Sequence, residues 1–400
     1  MRRNRIYFCS NNPYHSHSFP KLLLSLLIIA VLLVLLFLHK KEELQHTQEL
    51  EKLAKEYRKE RLVEEKHLDA LFLSVRSILS EEIPGIICWG DSLTAGAGGN
   101  GIKYPLVLQS LLQTEICDTF SLEKVVSSKH SSLLSMKDYT LKAPEVLNMG
   151  VGGESTSTIL GRNGAIPFVT SKAFTIPTSC EAVPIEFKSR NGYNVAPLRQ
   201  GDAGVNPVKI SGIEGTLSYI SEDSSYYFTR KESGSSITVP CGSIIKTSGS
   251  TTGLNYLTVI FIGQNGGYSD IAELISQQRA ILQHQEDHRE RYIIVGLHTG
   301  TADSRAELEA AMLAEYGDKY INLREYMSTK ALEDAGLEPT WEDIIMMEAG
   351  MTPSSLLVED GLHFNATAYE LIGNLIFDRM DTLGYFDVIK KAIIDAGSTY

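Results

Sequence analysis

The sequence predicts an α/β domain built on a parallel sheet, preceded by an apolar helix and interrupted by a mostly-β module. Three observations carry this. Short apolar runs alternate with amphipathic stretches after residue 83; an unbroken apolar segment stands near the N-terminus; and residues 166–253 lose the helical pattern. The expected organisation is a tail over 1–21, a transmembrane segment over 22–38, a helical stalk over 39–82 and an α/β domain over 83–400, with 166–253 inserted into it.

The apolar segment runs from Leu22 to Leu38 with Ser25 as its one hydroxyl residue. That is at the short end of a membrane-spanning helix and longer than most signal-peptide cores. No small-x-small cleavage site follows, since the chain passes directly into His39, Lys40 and Lys41. Arg2, Arg3, Arg5 and Lys21 precede the run and favour a cytoplasmic N-terminus. The reading is a single-pass signal anchor in the cell membrane, with the rest of the chain extracellular. Residues 40–80 are rich in Glu, Lys, Arg and Leu without Gly or Pro, which is helix composition with mixed charge. Leu50, Leu53 and Tyr57 keep helical spacing, but the pattern is lost before it makes a sustained coiled coil. A solvated stalk follows, with dimerisation through it left open.

Beyond it, candidate strands are Ile86–Trp89, Val146–Met149, Tyr256–Ile262, Tyr292–Leu297 and Tyr320–Leu323. Helical stretches such as "YPLVLQSLLQ" and "DIAELISQQRAILQ" lie between several of them. Strand and helix in alternation predict a parallel sheet covered on both faces. The insert instead reads "PIEFKS", "SYYFTRK" and "GSIIKTSG", strands separated by turn residues.

Composition narrows the function. A hydrophobic share of 43% describes a full core, and a formal charge of −12 argues against nucleic-acid binding, which needs a concentrated basic face. The five cysteines make no zinc pattern. Cys88 reads as an inert core thiol, whereas Cys180 and Cys241 bracket the insert's strands and can pair if they face an oxidising exterior. His284 and His288 stand four apart without an H-E-x-x-H context, so no metal site is expected. Tyr219, Tyr226, Tyr227 and Phe228 can stack on sugar rings or simply form the packed side of a sheet.

Chemistry concentrates at strand ends. "GDSLT" places Ser92 just past the first strand, but a lone Gly-Asp-Ser occurs by chance in roughly one chain in ten of this length. A nucleophilic serine also needs a base, a group to orient that base, and donors for the oxyanion. His363 alone among the ten histidines has an aspartate three residues before it, Asp360. The pair precedes a helix whose start is marked by Asn365 and by the capping-box spacing of Thr367 and Glu370. "GVGGES" and "GQN" end two further strands and supply donors, through glycine backbone and through an asparagine amide.

"GDSLT", "GVGGES", "GQN" and "DGLH", in that order, resemble the SGNH, or GDSL, hydrolases. The resemblance covers roughly residues 84–165 and 254–385. It implies a flavodoxin-like three-layer α/β/α sandwich and a serine esterase without metal or organic cofactor. By that resemblance Ser92 is the nucleophile, Asp360 and His363 the acid and base, and Ser92, Gly153 and Asn265 the oxyanion donors. The chain departs from many relatives in having Gly266 after Asn265 where they carry Asp. A standard α/β-hydrolase elbow fits less well, since it needs glycine where Thr94 stands.

An outward-facing anchored esterase points to O-acetyl groups on a carbohydrate or cell-wall polymer, which the polar, Tyr-bearing insert favours over lipid. Two other readings stay open: an O-acyltransferase using the same triad, and a membrane-anchored carbohydrate-binding protein on a hydrolase scaffold.

Overall fold

The computed structural model describes residues 18–120, 138–287 and 289–398. The chain forms two compact units, residues 1–70 and 71–400. The helix Ser18–Glu82 begins in the first unit. Its segment from Leu22 to Leu38 exposes every large apolar side chain, and the helix is long and apolar enough to cross a membrane. Its last turns belong to the second unit, where Val75 and Leu79 are buried. The expected solvated stalk to residue 82 is thus shortened, because those turns carry apolar residues at helical spacing that pack into the core. Arg2, Arg3, Arg5 and His288 lie outside the described residues.

In the second unit the strands are β1 (Ile86–Gly90), β2 (Val146–Gly150), then in the insert β3 (Phe168–Thr170), β4 (Phe174–Ile176), β5 (Val183–Ile185), β6 (Phe187–Ser189), β7 (Val208–Ile210), β8 (Ile213–Ile220), β9 (Ser225–Arg230), β10 (Ile237–Val239) and β11 (Ile244–Lys246), and finally β12 (Leu257–Phe261), β13 (Tyr292–Val295) and β14 (Tyr320–Ile321). β14-β13-β12-β1-β2 form one wholly parallel sheet. Its central strands β1 and β12 are buried at every position, as expected of a parallel sheet covered on both sides.

The order matters for the site. From β1 the chain moves outward to β2, then crosses back over β1 to β12 and continues the other way. A crevice opens at such a reversal, at the carboxyl ends of the strands. β1, β2 and β12 all deliver their following loops there.

The insert is antiparallel, with the order β5-β9-β8-β7-β11-β3-β6 and a separate β4–β10 pair. The two edge strands, β5 and β6, are separated in sequence only by Glu186, so the sheet has to curl until its edges nearly meet. Phe168, Ile210, Leu217, Phe228 and Ile245 fill the enclosed core. Cys180 and Cys241 are both free thiols, each directed at backbone carbonyls, so the pairing that the sequence left open is not formed. Cys88 is fully buried, and burial pushes its thiol far up, in keeping with an inert core residue.

Candidate active site

Local chemistry sets the serine in place. β1 ends at Gly90, and the Asp91 carboxylate accepts the Leu93 N–H at 3.0 Å, capping the short helix Ser92–Ala95. Ser92 is therefore the first helical residue, and its own N–H stays outside the intrahelical ladder. β2 approaches this helix so closely that a Cβ on Gly150 would stand 2.2 Å from the Ala95 nitrogen. Only glycine fits there. Asn148 fastens the approach, donating to the Thr94 carbonyl and accepting from the Gly150 N–H, both at 2.9 Å.

The histidine arrives from the far end of the chain. Leu357 and Phe364 bridge, closing a tight loop around Asp360 and His363. One Asp360 carboxylate oxygen accepts the N–H groups of Leu362 and His363, each at 2.9 Å. The other lies 2.6 Å from His363 Nδ1, and His363 Nε2 lies 2.9 Å from Ser92 Oγ. The tautomer that satisfies both contacts carries its proton on Nδ1, leaving Nε2 to accept from the serine hydroxyl. The imidazole hydrogen bond, helped by the two backbone donors, lowers the Asp360 carboxyl to about 2. It stays ionised.

The small residues after Ser92 dock this loop. A Cβ on Gly98 would come within 2.6 Å of the Phe364 carbonyl, and the Tyr369 hydroxyl donates to the Ala97 carbonyl at 2.8 Å. The helix Ala366–Thr382 is capped by Asn365, whose side chain accepts the Ala368 N–H at 3.1 Å. Thr367 and Glu370 lie inside its first turns, so the expected capping box is replaced by an Asx cap.

Gly153 and Asn265 sit on neighbouring loops. Gly153 has φ +68°, a backbone state that glycine adopts without strain. Asn265 Nδ2 donates to Asp91 Oδ2 and to the Glu154 carbonyl, both at 3.2 Å. Thr156 N–H donates to the Gly266 carbonyl at 2.9 Å, tying the same two loops. Both Asn265 amide protons are thus engaged through long, weak bonds.

Beneath these loops is a buried charge pair that sequence reading missed. Arg162 is fully buried. Its Nε donates to Glu154 Oε2 at 2.6 Å, while Nη1 donates to the carbonyls of Met149 at 3.0 Å and Ala203 at 2.6 Å. The guanidinium also stands 5.6 Å from the Trp89 ring centre. One side chain therefore joins the ends of β1 and β2 to the insert. Burial works against the Glu154 charge, and Arg162 opposes that effect. Asp91 is raised to about 6, chiefly by burial.

The remaining candidates separate cleanly. His298 is buried behind Phe364, with ring centres 4.2 Å apart, and burial lowers it to about 3, so it is a neutral packing residue. His284 directs Nε2 at the Ser250 carbonyl, and no metal-binding cluster occurs among the described residues. Phe228 belongs to the module's core, and the Tyr227 hydroxyl donates to Asp223 at 2.7 Å. Tyr219 and Tyr226 pair across strands with ring centres 5.0 Å apart.

No family model, curated protein or solved structure matches this chain.

Proposed function

We propose that this chain is a membrane-anchored serine esterase of SGNH, or GDSL, type that removes O-acetyl groups from a carbohydrate or cell-wall polymer. The observation that carries the reading is the hydrogen-bonded line from Asp360 through His363 to Ser92 at the strand ends. The strand order supports it, since counting only the parallel strands gives 2-1-3-4-5, the flavodoxin-like arrangement.

The chemistry follows from the atoms in line. Ser92 Oγ attacks the ester carbonyl as His363 Nε2 takes its proton, and Asp360 steadies the imidazolium. The developing oxyanion is met by the N–H groups of Ser92 and Gly153 and by the Asn265 amide. The C–O bond breaks, and the leaving alkoxide takes the proton from His363. Water then attacks the acyl-serine with His363 again as base, which releases acetate and restores Ser92.

The apolar helix supports an anchor, and the basic residues before it support an outward-facing domain. The insert's glycine- and tyrosine-bearing polar surface, joined through Ala203 to the floor of the site, supports a carbohydrate substrate. The test is turnover of p-nitrophenyl acetate by the full chain in detergent micelles, with acetate release from isolated cell wall measured beside it. Turnover of both is expected. Absence of both in a folded preparation contradicts the reading.

A further inference from the structure

The insert reaches the site through one irregular segment. Pro197 is buried, and its carbonyl accepts the Tyr226 hydroxyl at 2.8 Å. Leu198 then adopts φ +65°, a left-handed conformation that a side chain of its size rarely takes. Such strain persists only where the surroundings enforce it, and it clusters at functional positions. Here it turns the chain so that Arg199 lies over the Tyr219 ring, 5.1 Å from its centre. The next residue, Gln200, is laid against the oxyanion loop. A Cβ on Gly152 would meet Gln200 Oε1 at 2.6 Å, and one on Gly153 would meet Nε2 at 2.8 Å.

Arg199 is exposed, its guanidinium lies within hydrogen-bonding reach of the Tyr226 hydroxyl, and it makes no ion pair among the described residues. The buried Glu154 is already held by Arg162. A planar cation fixed on an aromatic face, next in the chain to Gln200, whose side chain lies against Gly152 and Gly153, suits bidentate capture of an anion. The chain's overall charge of −12 opposes anions at long range. At physiological salt, however, distant charges are screened beyond about 8 Å, so the local guanidinium decides.

Resting on the esterase reading, we infer that Arg199, set on Tyr219 beside Gln200, is a subsite for an anionic group, carboxylate or phosphate, on a sugar next to the acetylated one. The substrate class is then an acidic O-acetylated polysaccharide.

The test uses the full chain carrying Ser92→Ala, so that substrate persists during titration. It is titrated with O-acetylated galacturonan bearing free carboxylates and with the same polymer methyl-esterified. The free-carboxylate form should bind about 10- to 100-fold more tightly, the span of one charge-assisted contact. Added Arg199→Met should erase that preference, and Arg199→Lys should keep part of it, which separates lost charge from misfolding. A phosphate-substituted acetylated mannan forms a further arm; Arg199-dependent binding of it instead supports the subsite with phosphate as the anion. Equal affinity for charged and neutral polymers in every arm overturns the subsite, as does a preference that survives Arg199→Met. Turnover of p-nitrophenyl acetate by the wild-type chain is read separately. Charge-selective binding without turnover overturns the esterase and keeps the subsite; turnover without charge selectivity does the reverse.

Discussion

The parallel sheet and the inserted module meet at one crevice but build their shares of it by opposite means. The sheet contributes through regular elements, because β1, β2 and β12 end side by side and each releases a loop at its carboxyl end. The module contributes through the irregular stretch from Pro197 to Ala203, turned by the left-handed Leu198 and fastened by Tyr226 and Arg162. Regular elements fix reacting groups closely, whereas an irregular loop on a rigid scaffold can vary in what it presents. On the proposed esterase reading, bond-breaking would fall to the sheet's loops with the Asp360–His363 loop, and substrate choice to the module.

Substitutions can break that division. The largest effect should come from the relay that a separate loop completes over the sheet's Ser92: His363→Ala should lower kcat for p-nitrophenyl acetate by about 10⁴-fold or more, with the fold unchanged by circular dichroism. Loss of only a few-fold would remove His363 as the base.

Next in size is the joint between the regions. Arg162→Ala leaves the Glu154 carboxylate buried without its partner, and removing half of a buried pair costs about 3–5 kcal/mol. Urea denaturation should read that loss. A change under about 1 kcal/mol would mean that Arg162 does not hold the module to the sheet.

Asn265→Ala should lower kcat by about 10²–10³, or 2.7–4 kcal/mol, with little change in KM. An effect confined to KM would make Asn265 a binding residue and shift it to the module's side of the comparison.

The smallest effect is in pH. Burial raises Asp91 to about 6 from an ordinary value of 3.8, so between those values the folded chain binds more protons than the unfolded one. Stability contributed by protonated Asp91 is then present at low pH and falls as pH rises through this window, by at most about 3 kcal/mol. Denaturation series from pH 4 to 7 should show that slope, and Asp91→Asn should reduce it, leaving the part contributed by Glu154, which burial also raises.

Much of this was legible in the sequence, for physical reasons. The strands of the parallel sheet are apolar on both faces, so five short runs mark them, and the loops that follow carry Ser92, Gly153 and Asn265. Asp360 and His363 were legible because a carboxylate three residues before an imidazole fits one tight turn. Arg162 was not, since an arginine in a short helix reads as surface and its burial depends on Glu154 folding beneath it. Arg199 and Gln200 lie in a segment without periodicity, and only the backbone at Leu198 reveals where they point. The last turns of Ser18–Glu82 read as solvated because they continue the charged stretch before them without a Gly or Pro break, and their apolar residues show their role only when Val75 and Leu79 are seen in the core.

The most direct test of the central claim is covalent labelling of the full chain with a fluorophosphonate, followed by peptide mapping. The account predicts a single adduct on Ser92, lost in Ser92→Ala and strongly slowed in His363→Ala. An adduct on another residue, or labelling undiminished in Ser92→Ala, would contradict it.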